Sequence, residues 1–178
     1  VFVDCDPKTK CIDPNKIEKA INKKTKAIIP VHLYGQCADM RAIRTIADKH
    51  KLFVIEDNAQ GIDGHGADFK QGELSDAVTT SFIIQKNLGT FGDSGAIVTN
   101  NPEIDRIVRK LRNHGSDKRS CHSFGFNSRL DDLHAGILSA KLKHIPAWTD
   151  QRRAWAAQYS NGLKGAKNFT LPYETPGY

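Results

Sequence analysis

No stretch of this 178-residue sequence approaches the run of about 20 apolar residues that a membrane-spanning helix needs. The sequence also lacks the motifs GxGxxG, GxxxxGK[ST] and GxSxG. It therefore contains none of the motifs that most directly indicate a nucleotide-binding loop or a serine nucleophile. Its histidines form no HExxH or similar metal-binding set. The four cysteines (Cys5, Cys11, Cys37 and Cys121) form no CxxC pair, so we expect reduced thiols in a cytoplasmic protein.

The charge balance is mildly basic, with 26 Lys and Arg against 20 Asp and Glu and a formal net charge of +6 at pH 7. The two signs are interleaved, and no basic stripe carries aromatic residues, which argues against a nucleic-acid-binding surface. A mild positive balance suits a small anionic substrate such as a nucleotide diphosphate.

Apolar runs and helical periodicity alternate in the first third of the chain. Continuous apolar strands separated by amphipathic helices predict a mostly parallel sheet flanked by helices, the α/β class. The predicted order is a strand at Val1–Asp4, a helix capped by Asp13, a strand at Lys26–Leu33, a helix at Asp39–His50 and a strand at Leu52–Ile55.

The rest of the chain predicts two more strands and three helices. The expected strands are Ala77–Ile84 and Gly95–Thr99, and the expected helices are Pro102–Asn113, Leu130–His144 and Ala147–Leu163, the last two separated by Pro146. In parallel sheets, ligands bind outside the carboxyl ends of the strands. Because His32, Asp57 and Lys86 all lie at the carboxyl ends of predicted strands, these ends are the expected location of a site.

Lys86 lies in a glycine-rich segment between two β-like runs, with Gly89, Gly92 and Gly95 at a spacing of three. Glycine lets the backbone adopt left-handed conformations and approach a ligand closely. A lysine amine held away from water becomes a nucleophile, as in Schiff-base lysines. The alternative is a strand-end lysine whose ammonium reaches solvent along its apolar stem.

Asp57 ends an apolar run, Gln60 follows three residues later, and Ser81 lies five residues before Lys86. Pyridoxal phosphate chemistry needs such a combination. A lysine forms the Schiff base, an acid keeps the pyridine nitrogen protonated, and a hydroxyl can donate to the phosphate. The alternative for Asp57 is the capping of a helix.

Five stretches of the sequence together resemble one known family. IPVHLYGQ, VIEDNAQ, SFIIQKNLGTFGDSGAIVTN, KLRNHG and GFNSRLDD are similar to motifs of the DegT/DnrJ/StrS sugar aminotransferases, which are fold-type I pyridoxal phosphate enzymes. The resemblance extends to about Gly165. It implies an aspartate aminotransferase-like large domain that is incomplete in this sequence.

The resemblance also implies roles for individual residues. Lys86 matches the Schiff-base lysine, and Asp57 matches the partner of the pyridine nitrogen. Gln60 matches a residue against the cofactor ring and its 3-hydroxyl, and Ser81 matches a phosphate ligand. Asn127 matches an asparagine that reaches the phosphate of the neighbouring subunit's cofactor, which implies a homodimer with shared active sites. The alternative for Asn127 is a cap on the following helix.

Several features depart from the family's pattern. The upstream Gly-Thr phosphate loop, the aromatic ring that stacks on the pyridine and the small C-terminal domain are not in the sequence, so we expect a longer polypeptide. Residues 1–145 are predicted to be part of the cofactor-binding domain, and 146–178 a helix and segment leading to the absent small domain. Leu74–Asp76 replaces FGD, Gly61–Gly66 is longer than usual, and SFIIQK replaces SFFPTK.

By resemblance, the expected function is transfer of an amino group, typically from L-glutamate, to a nucleotide-linked keto-deoxysugar in deoxyaminosugar biosynthesis. Related sugar dehydratases carry histidine where Lys86 stands, so lysine favours aminotransfer. The alternatives are another pyridoxal phosphate-dependent sugar modification such as dehydration, a cofactor-free or regulatory binding protein, and an inactive fragment. Neither a nucleic acid nor a membrane is expected as a partner.

Overall fold

A computed structural model describes residues 1–116 and 123–178 as a four-stranded sheet with five α-helices. The helices are α1 (Pro14–Ala20), α2 (Met40–His50), α3 (Pro102–Leu111), α4 (Asp132–Leu142) and α5 (Ile145–Gly162), with a short 3-10 helix at Leu33–Gly35. The strands are β1 (Ala27–Ile28), β2 (Phe53–Asp57), β3 (Ala77–Ser81) and β4 (Gly95–Val98). Cys121 lies outside the described residues.

The first two helices begin where their capping residues predict. The Asp13 side chain accepts a hydrogen bond from the N–H of Asn15, and Pro14 takes the first position of α1. Asp39 accepts a hydrogen bond from the N–H of Ala42 at the start of α2. These carboxylates satisfy N–H groups that have no acceptor within the helix, so a local signal fixes both starts.

The sheet has the order β1-β2-β3-β4 and is mostly parallel, as predicted. β2 pairs in parallel with both β1 and β3, whereas β4 pairs antiparallel with β3. Helix α2 packs against β1, β2 and α1. Its apolar residues Met40, Ile43 and Ala47 are fully buried, which places the main core between this helix pair and the first two strands.

The strand predicted at Lys26–Leu33 is much shorter than expected. Only Ala27–Ile28 forms a ladder with β2, and Val31 adds one isolated bridge to Asp57. Pro30 lies between these two contacts and interrupts the ladder because it has no N–H to donate. Its carbonyl still accepts the N–H of Asp57 at 2.9 Å, so the segment continues alongside β2.

The prediction of a buried strand at Val1–Asp4 is wrong. The structure has no strand at these residues, although Cys5 forms an isolated bridge with Ile12. Phe2 is fully solvent-exposed, at 104%. An apolar run gains stability from burial only where other groups remove it from water, and no described residue packs on Phe2 in this way.

The thiols of Cys11 and Cys37 are buried in the main core, whereas Cys5 is exposed; all three are free. Burial raises the pKa of Cys37 to about 11, so this thiol is protonated at neutral pH. Cys11 and Cys37 therefore act as small apolar core residues, and Cys5 lies at the surface.

Helices α4 and α5 are separate, as Pro146 predicts, because this proline occupies the first turn of α5. Leu138 of α4 and Ile145 of α5 form a second buried cluster with Leu88, which follows β3. At the chain end, Tyr178 packs against the main core. The division into residues 1–145 and 146–178 stays a prediction. None of the helices in the described part of the chain is long and apolar enough to cross a bilayer.

A fully buried histidine–carboxylate pair joins the segment after β1 to strand β2. Nε2 of His32 lies 2.7 Å from Oε2 of Glu56, and neither side chain is more than 1% exposed. Nδ1 of His32 accepts the N–H of Ala38, so the proton of the neutral ring lies on Nε2 and is donated to Glu56. The other Glu56 oxygen accepts the N–H of Gly72 at 2.9 Å. Burial alone would raise the pKa of Glu56, but these hydrogen bonds hold it below its usual range.

We predict that Glu56→Gln lowers the free energy of unfolding at neutral pH by about 1.5–3 kcal/mol, because a charged acceptor of two buried hydrogen bonds is lost. A lowered pKa in the folded state stabilises the protein above the unfolded pKa, and this contribution disappears as pH falls through the folded value. The difference in the free energy of unfolding between the unmodified protein and Glu56→Gln should therefore shrink below about pH 4.5.

Urea unfolding from pH 7 to pH 3 measures this difference. Glu174→Gln, at an exposed glutamate, serves as the matched control and should change little at any pH. The other carboxylates contribute equally to the free energy of unfolding in all three proteins, so their contributions cancel in the differences. A difference for Glu56→Gln that stays constant across this pH range would contradict the assignment.

Candidate functional site

Three of the five residues predicted for the site lie at one edge of the sheet. Asp57 is the last residue of β2, between Thr79 of β3 on one side and Val31 on the other. Ser81 ends β3, and Lys86 follows five residues later. Because β2 and β3 are parallel, their carboxyl ends meet at this edge, which is where ligands bind in such sheets.

The carboxylate of Asp57 is half-buried and only partly engaged. Oδ1 accepts the N–H of Ala59 at 3.0 Å, which stabilises the turn that leaves β2. Helix capping is not its role, since no helix begins between Asp57 and α3. Among the residues the structure describes, none donates to Oδ2 of Asp57. One carboxylate oxygen is thus available to a cationic partner at this edge.

The strand before Lys86 ends earlier than predicted. β3 stops at Ser81, three residues before the end of the expected run Ala77–Ile84. After Ser81, the N–H of Phe82 donates to the carbonyl of Ser94 across the base of the loop, at 2.7 Å. The Ser81 hydroxyl oxygen accepts the N–H of Ile83 at 3.4 Å, so its own proton is left to donate elsewhere.

Lys86 itself lies in a tight turn closed by two backbone hydrogen bonds. Its N–H donates to the carbonyl of Ile83 at 2.9 Å, and the N–H of Thr90 donates to that of Phe82 at 2.8 Å. A Cβ on Gly89 would lie only 2.7 Å from the Ile83 carbonyl oxygen, so a residue with a side chain would force the turn open. The turn therefore requires glycine for close backbone approach, as its sequence indicates.

The Lys86 side chain is half-buried. Within residues 1–116 and 123–178, no hydrogen bond or ion pair engages its amine. The amine of Lys86 is therefore unpaired among the described residues.

Gln60 lies in the turn after β2, and its side chain is exposed. Its Oε1 accepts the N–H of Tyr34 at 2.9 Å. Tyr34 has a left-handed backbone with φ of 59°, and its side chain is 80% exposed. This contact links the segment after β1 to the segment after β2 and leaves the Gln60 amide hydrogens available to an acceptor.

Asn127 lies in the segment between α3 and α4, far in sequence from the other four predicted residues. It forms an isolated backbone bridge with Asn113, and its Oδ1 accepts Nε of Arg129 at 3.1 Å. In the described parts of the chain, no hydrogen bond joins it to Asp57 or Lys86. The capping alternative is wrong, because the N-cap of α4 is Asp131. The amide hydrogens of this exposed residue therefore remain available to an acceptor.

Two contacts near the site were not predicted. His32 was placed at a strand end, but its pairing with Glu56 was not foreseen. Nζ of Lys141 in α4 donates to the carbonyl of Gly89, which lies in the turn that carries Lys86. Both contacts join residues far apart in sequence, and neither leaves a local spacing signal.

The side chains at this edge suit an organic ligand. The described residues contain no cluster of three or more His, Cys, Asp or Glu that could hold a metal. They offer an uncommitted amine, a carboxylate oxygen and a hydroxyl donor, on Lys86, Asp57 and Ser81. These groups fit an aldehyde, a protonated ring nitrogen and a phosphate respectively, which are the groups of pyridoxal phosphate.

Comparison with known proteins finds relatives over nearly the whole chain. The sequence profile of the DegT/DnrJ/EryC1/StrS aminotransferase family matches residues 1–177. A pleiotropic regulatory protein of Geobacillus stearothermophilus is 52% identical over 167 residues, which make up 93% of this chain and 45% of that protein. A dTDP-3-amino-3,4,6-trideoxy-alpha-D-glucose transaminase of Streptomyces venezuelae is 45% identical over 169 residues, covering 93% of this chain and 44% of that protein.

The fold agrees with solved structures. NtdA of Bacillus subtilis with bound cofactor PMP superposes with a TM-score of 0.88 and 39% identity, covering 97% of this chain and 40% of that one. The chain spans about half the length of the curated relatives it matches. The mostly parallel sheet with flanking helices is thus part of the fold of these aminotransferases, as predicted. The match over residues 1–177 shows that this chain belongs to the DegT/DnrJ/EryC1/StrS aminotransferase family.

Proposed function

We propose that this chain supplies the cofactor-binding core of a pyridoxal phosphate-dependent aminotransferase. Its reaction transfers an amino group, from L-glutamate, to a nucleotide-linked keto-deoxysugar. The observation that carries the proposal is the convergence of Lys86, Asp57 and Ser81 on one edge of the sheet. The Streptomyces venezuelae relative, named as a transaminase of a dTDP sugar, supports the substrate class.

The residues present fit the cofactor in four places. Lys86 would hold it covalently, since its amine has no partner among the described residues. Asp57 would pair with the pyridine nitrogen through its uncommitted oxygen, and Ser81 would donate to the phosphate. Gln60 would meet the ring's 3-hydroxyl through its amide hydrogens, because its oxygen already accepts the N–H of Tyr34.

When bound, pyridoxal phosphate supplies an electron sink for the carbanion that forms at the α-carbon of the amino donor. The role of Asp57 is to keep the ring nitrogen protonated by an ion pair at the half-buried edge. The amine of Lys86 would take up the α-proton of the amino donor and give a proton back within the same half-reaction, and it would move a proton in the reverse direction when the keto sugar is the substrate. The tight turn around Lys86 limits the positions that its amine can reach, which favours proton transfer over a short distance.

A second candidate function rests on the Geobacillus stearothermophilus relative, which is named as a regulatory protein. A regulatory protein needs neither a reactive lysine nor a carboxylate for the ring nitrogen. Covalent attachment of the cofactor to Lys86 together with turnover of a keto sugar would support the enzymatic function. If the unmodified protein lacked either property, the regulatory function would be supported instead. A dehydratase remains a further alternative, distinguished by release of water without consumption of an amino donor.

The proposal extends to assembly and location. We infer a homodimer in which Asn127 serves the neighbouring subunit's cofactor, since its side chain is exposed and makes no hydrogen bond to Asp57, Ser81 or Lys86 among the described residues. Arg129 engages Oδ1 of Asn127, so the amide hydrogens remain to donate to a phosphate. The three free thiols among the described residues agree with a cytoplasmic location.

We expect Lys86→Ala to abolish covalent attachment of the cofactor and to lower the rate by about 10²-fold or more, because both the attachment point and the proton acceptor are lost. Borohydride reduction followed by peptide mass spectrometry locates the phosphopyridoxyl group. The control is Lys70→Ala, at an exposed lysine, which should behave like the unmodified protein. An adduct on another lysine would remove Lys86 from its proposed role.

Asp57→Asn should retain the cofactor but lower turnover by about one to three orders of magnitude. An adjacent opposite charge shifts a pKa by about 1–3 units, so its loss leaves the ring nitrogen largely unprotonated. Cofactor content after dialysis and the rate of each half-reaction separate binding from chemistry. Asp63→Asn, in the loop that follows, is the matched control. Near-normal turnover of Asp57→Asn would reduce Asp57 to a turn-forming residue.

Shared active sites predict recovery of activity when two inactive full-length variants exchange subunits. Asn127→Ala should weaken cofactor binding by about one to two orders of magnitude, because a hydrogen bond to a charged phosphate is lost. In a mixed dimer with Lys86→Ala, one site carries both defects and the other carries neither. Activity at limiting cofactor should therefore return after mixing.

The control mixture combines Lys86→Ala with Asp57→Asn, two defects within one subunit's own site, and should show no recovery. Subunit exchange is followed independently by native mass spectrometry. If exchange is complete and the Asn127→Ala mixture stays inactive, Asn127 acts within its own subunit.

A further inference from the structure

Lys141 makes an unusual contact for a lysine near a helix end. It lies in the last turn of α4, where a lysine commonly extends into solvent. Instead it is half-buried, and its ammonium donates to the backbone carbonyl of Gly89, 52 residues earlier in the chain. No carboxylate in the described residues pairs with it. A charged donor makes a stronger hydrogen bond to a carbonyl than a neutral donor does.

The acceptor of this bond belongs to the turn that carries Lys86. Gly89 comes three residues after Lys86 and directly before Thr90, whose N–H closes the turn. The backbone at Gly89 is packed so closely on the carbonyl of Ile83 that a Cβ has no room. A displacement of Gly89 therefore moves the whole turn rather than one peptide group.

Lys141 acts beside a buried apolar contact. Leu88, directly before Gly89, is 4% exposed and packs with Leu138 and Ile145. Leu138 and Lys141 are three residues apart on α4 and so lie on one face of the helix. Helix α4 thus contacts two consecutive residues of the turn. It contacts Leu88 through the leucine side chain and Gly89 through the glycine carbonyl.

We propose that Lys141 is a positioning residue for the amine of Lys86, acting through the carbonyl of Gly89. This inference rests on the proposed function, because it assigns Lys141 a role in presenting the reactive lysine. Without the ammonium, the turn keeps the packing of Leu88 but loses the bond that orients its last peptide group, so the two backbone hydrogen bonds that close the turn open more often. The amine of Lys86 then samples a wider range of positions at the edge of the sheet.

The test compares Lys141→Met, which keeps an apolar stem without a donor, with Lys141→Arg, which keeps a charged donor. Lys143→Met, at the exposed C-cap of the same helix, is the matched control. Hydrogen exchange of the Lys86 and Thr90 amides is measured on each full-length protein without cofactor. Borohydride trapping at limiting pyridoxal phosphate then measures the rate at which the adduct forms on Lys86, and the absorbance of bound cofactor is titrated with pH.

Lys141→Met should raise exchange at both amides, slow adduct formation by about 10-fold to 100-fold, and shift the pH midpoint of the absorbance. Lys141→Arg should restore most of each property, and Lys143→Met should change none. If Lys141→Met does not fold, Lys141→Gln replaces it, with the same directions and smaller effects because a neutral donor remains.

Normal exchange, trapping and pH midpoint in a folded Lys141→Met protein would overturn this inference and leave the proposed function intact. The absence of any adduct on Lys86 in the unmodified protein would instead overturn the proposed function, and the role of Lys141 with it.

Discussion

The buried hydrogen bond between His32 and Glu56 is the constraint on which this edge of the sheet depends. A carboxylate removed from water must have its oxygens satisfied, or its burial costs several kcal/mol. Glu56 is satisfied by the His32 ring and the N–H of Gly72, so the chain after β1 and the loop after β2 must both return to it. Side chains alternate along a strand, so Asp57, the next residue, points to the opposite face. The pair thus fixes the strand end from which Asp57 projects.

The parts of the fold that the sequence predicted well are those determined locally. Asp13 and Asp39 cap their helices through N–H groups two or three residues away, so a short stretch of sequence contains the whole interaction. Strand lengths depend on a partner that local sequence does not specify. Val1–Asp4 has the composition of a buried strand, but pairing and burial decide the outcome, and in this structure Phe2 has neither.

The same distinction separates the predicted and the unpredicted parts of the site. Asp57 and Lys86 were predicted because parallel strands bring their carboxyl ends to one edge, a rule that needs only the order of the elements. The bond from Lys141 to Gly89 depends on where α4 lies, and nothing in the order of elements specifies that position. The bond from Tyr34 to Gln60 requires a left-handed tyrosine, a conformation that residue type does not predict.

The antiparallel direction of β4 determines how much the length of the segment that carries Lys86 can vary. Because β4 begins at the edge where β3 ends, the connection over residues 82–94 starts and finishes at neighbouring points, and the hydrogen bond from Phe82 to Ser94 closes its base. The entropy of closing such a connection grows only logarithmically, so doubling its length costs about 0.6 kcal/mol. Insertions beyond Thr90 would lengthen the outer part of the connection and leave the turn around Lys86 closed. A parallel strand in this position would instead need a long crossover to the opposite edge, and the reactive lysine would share its segment with that crossover.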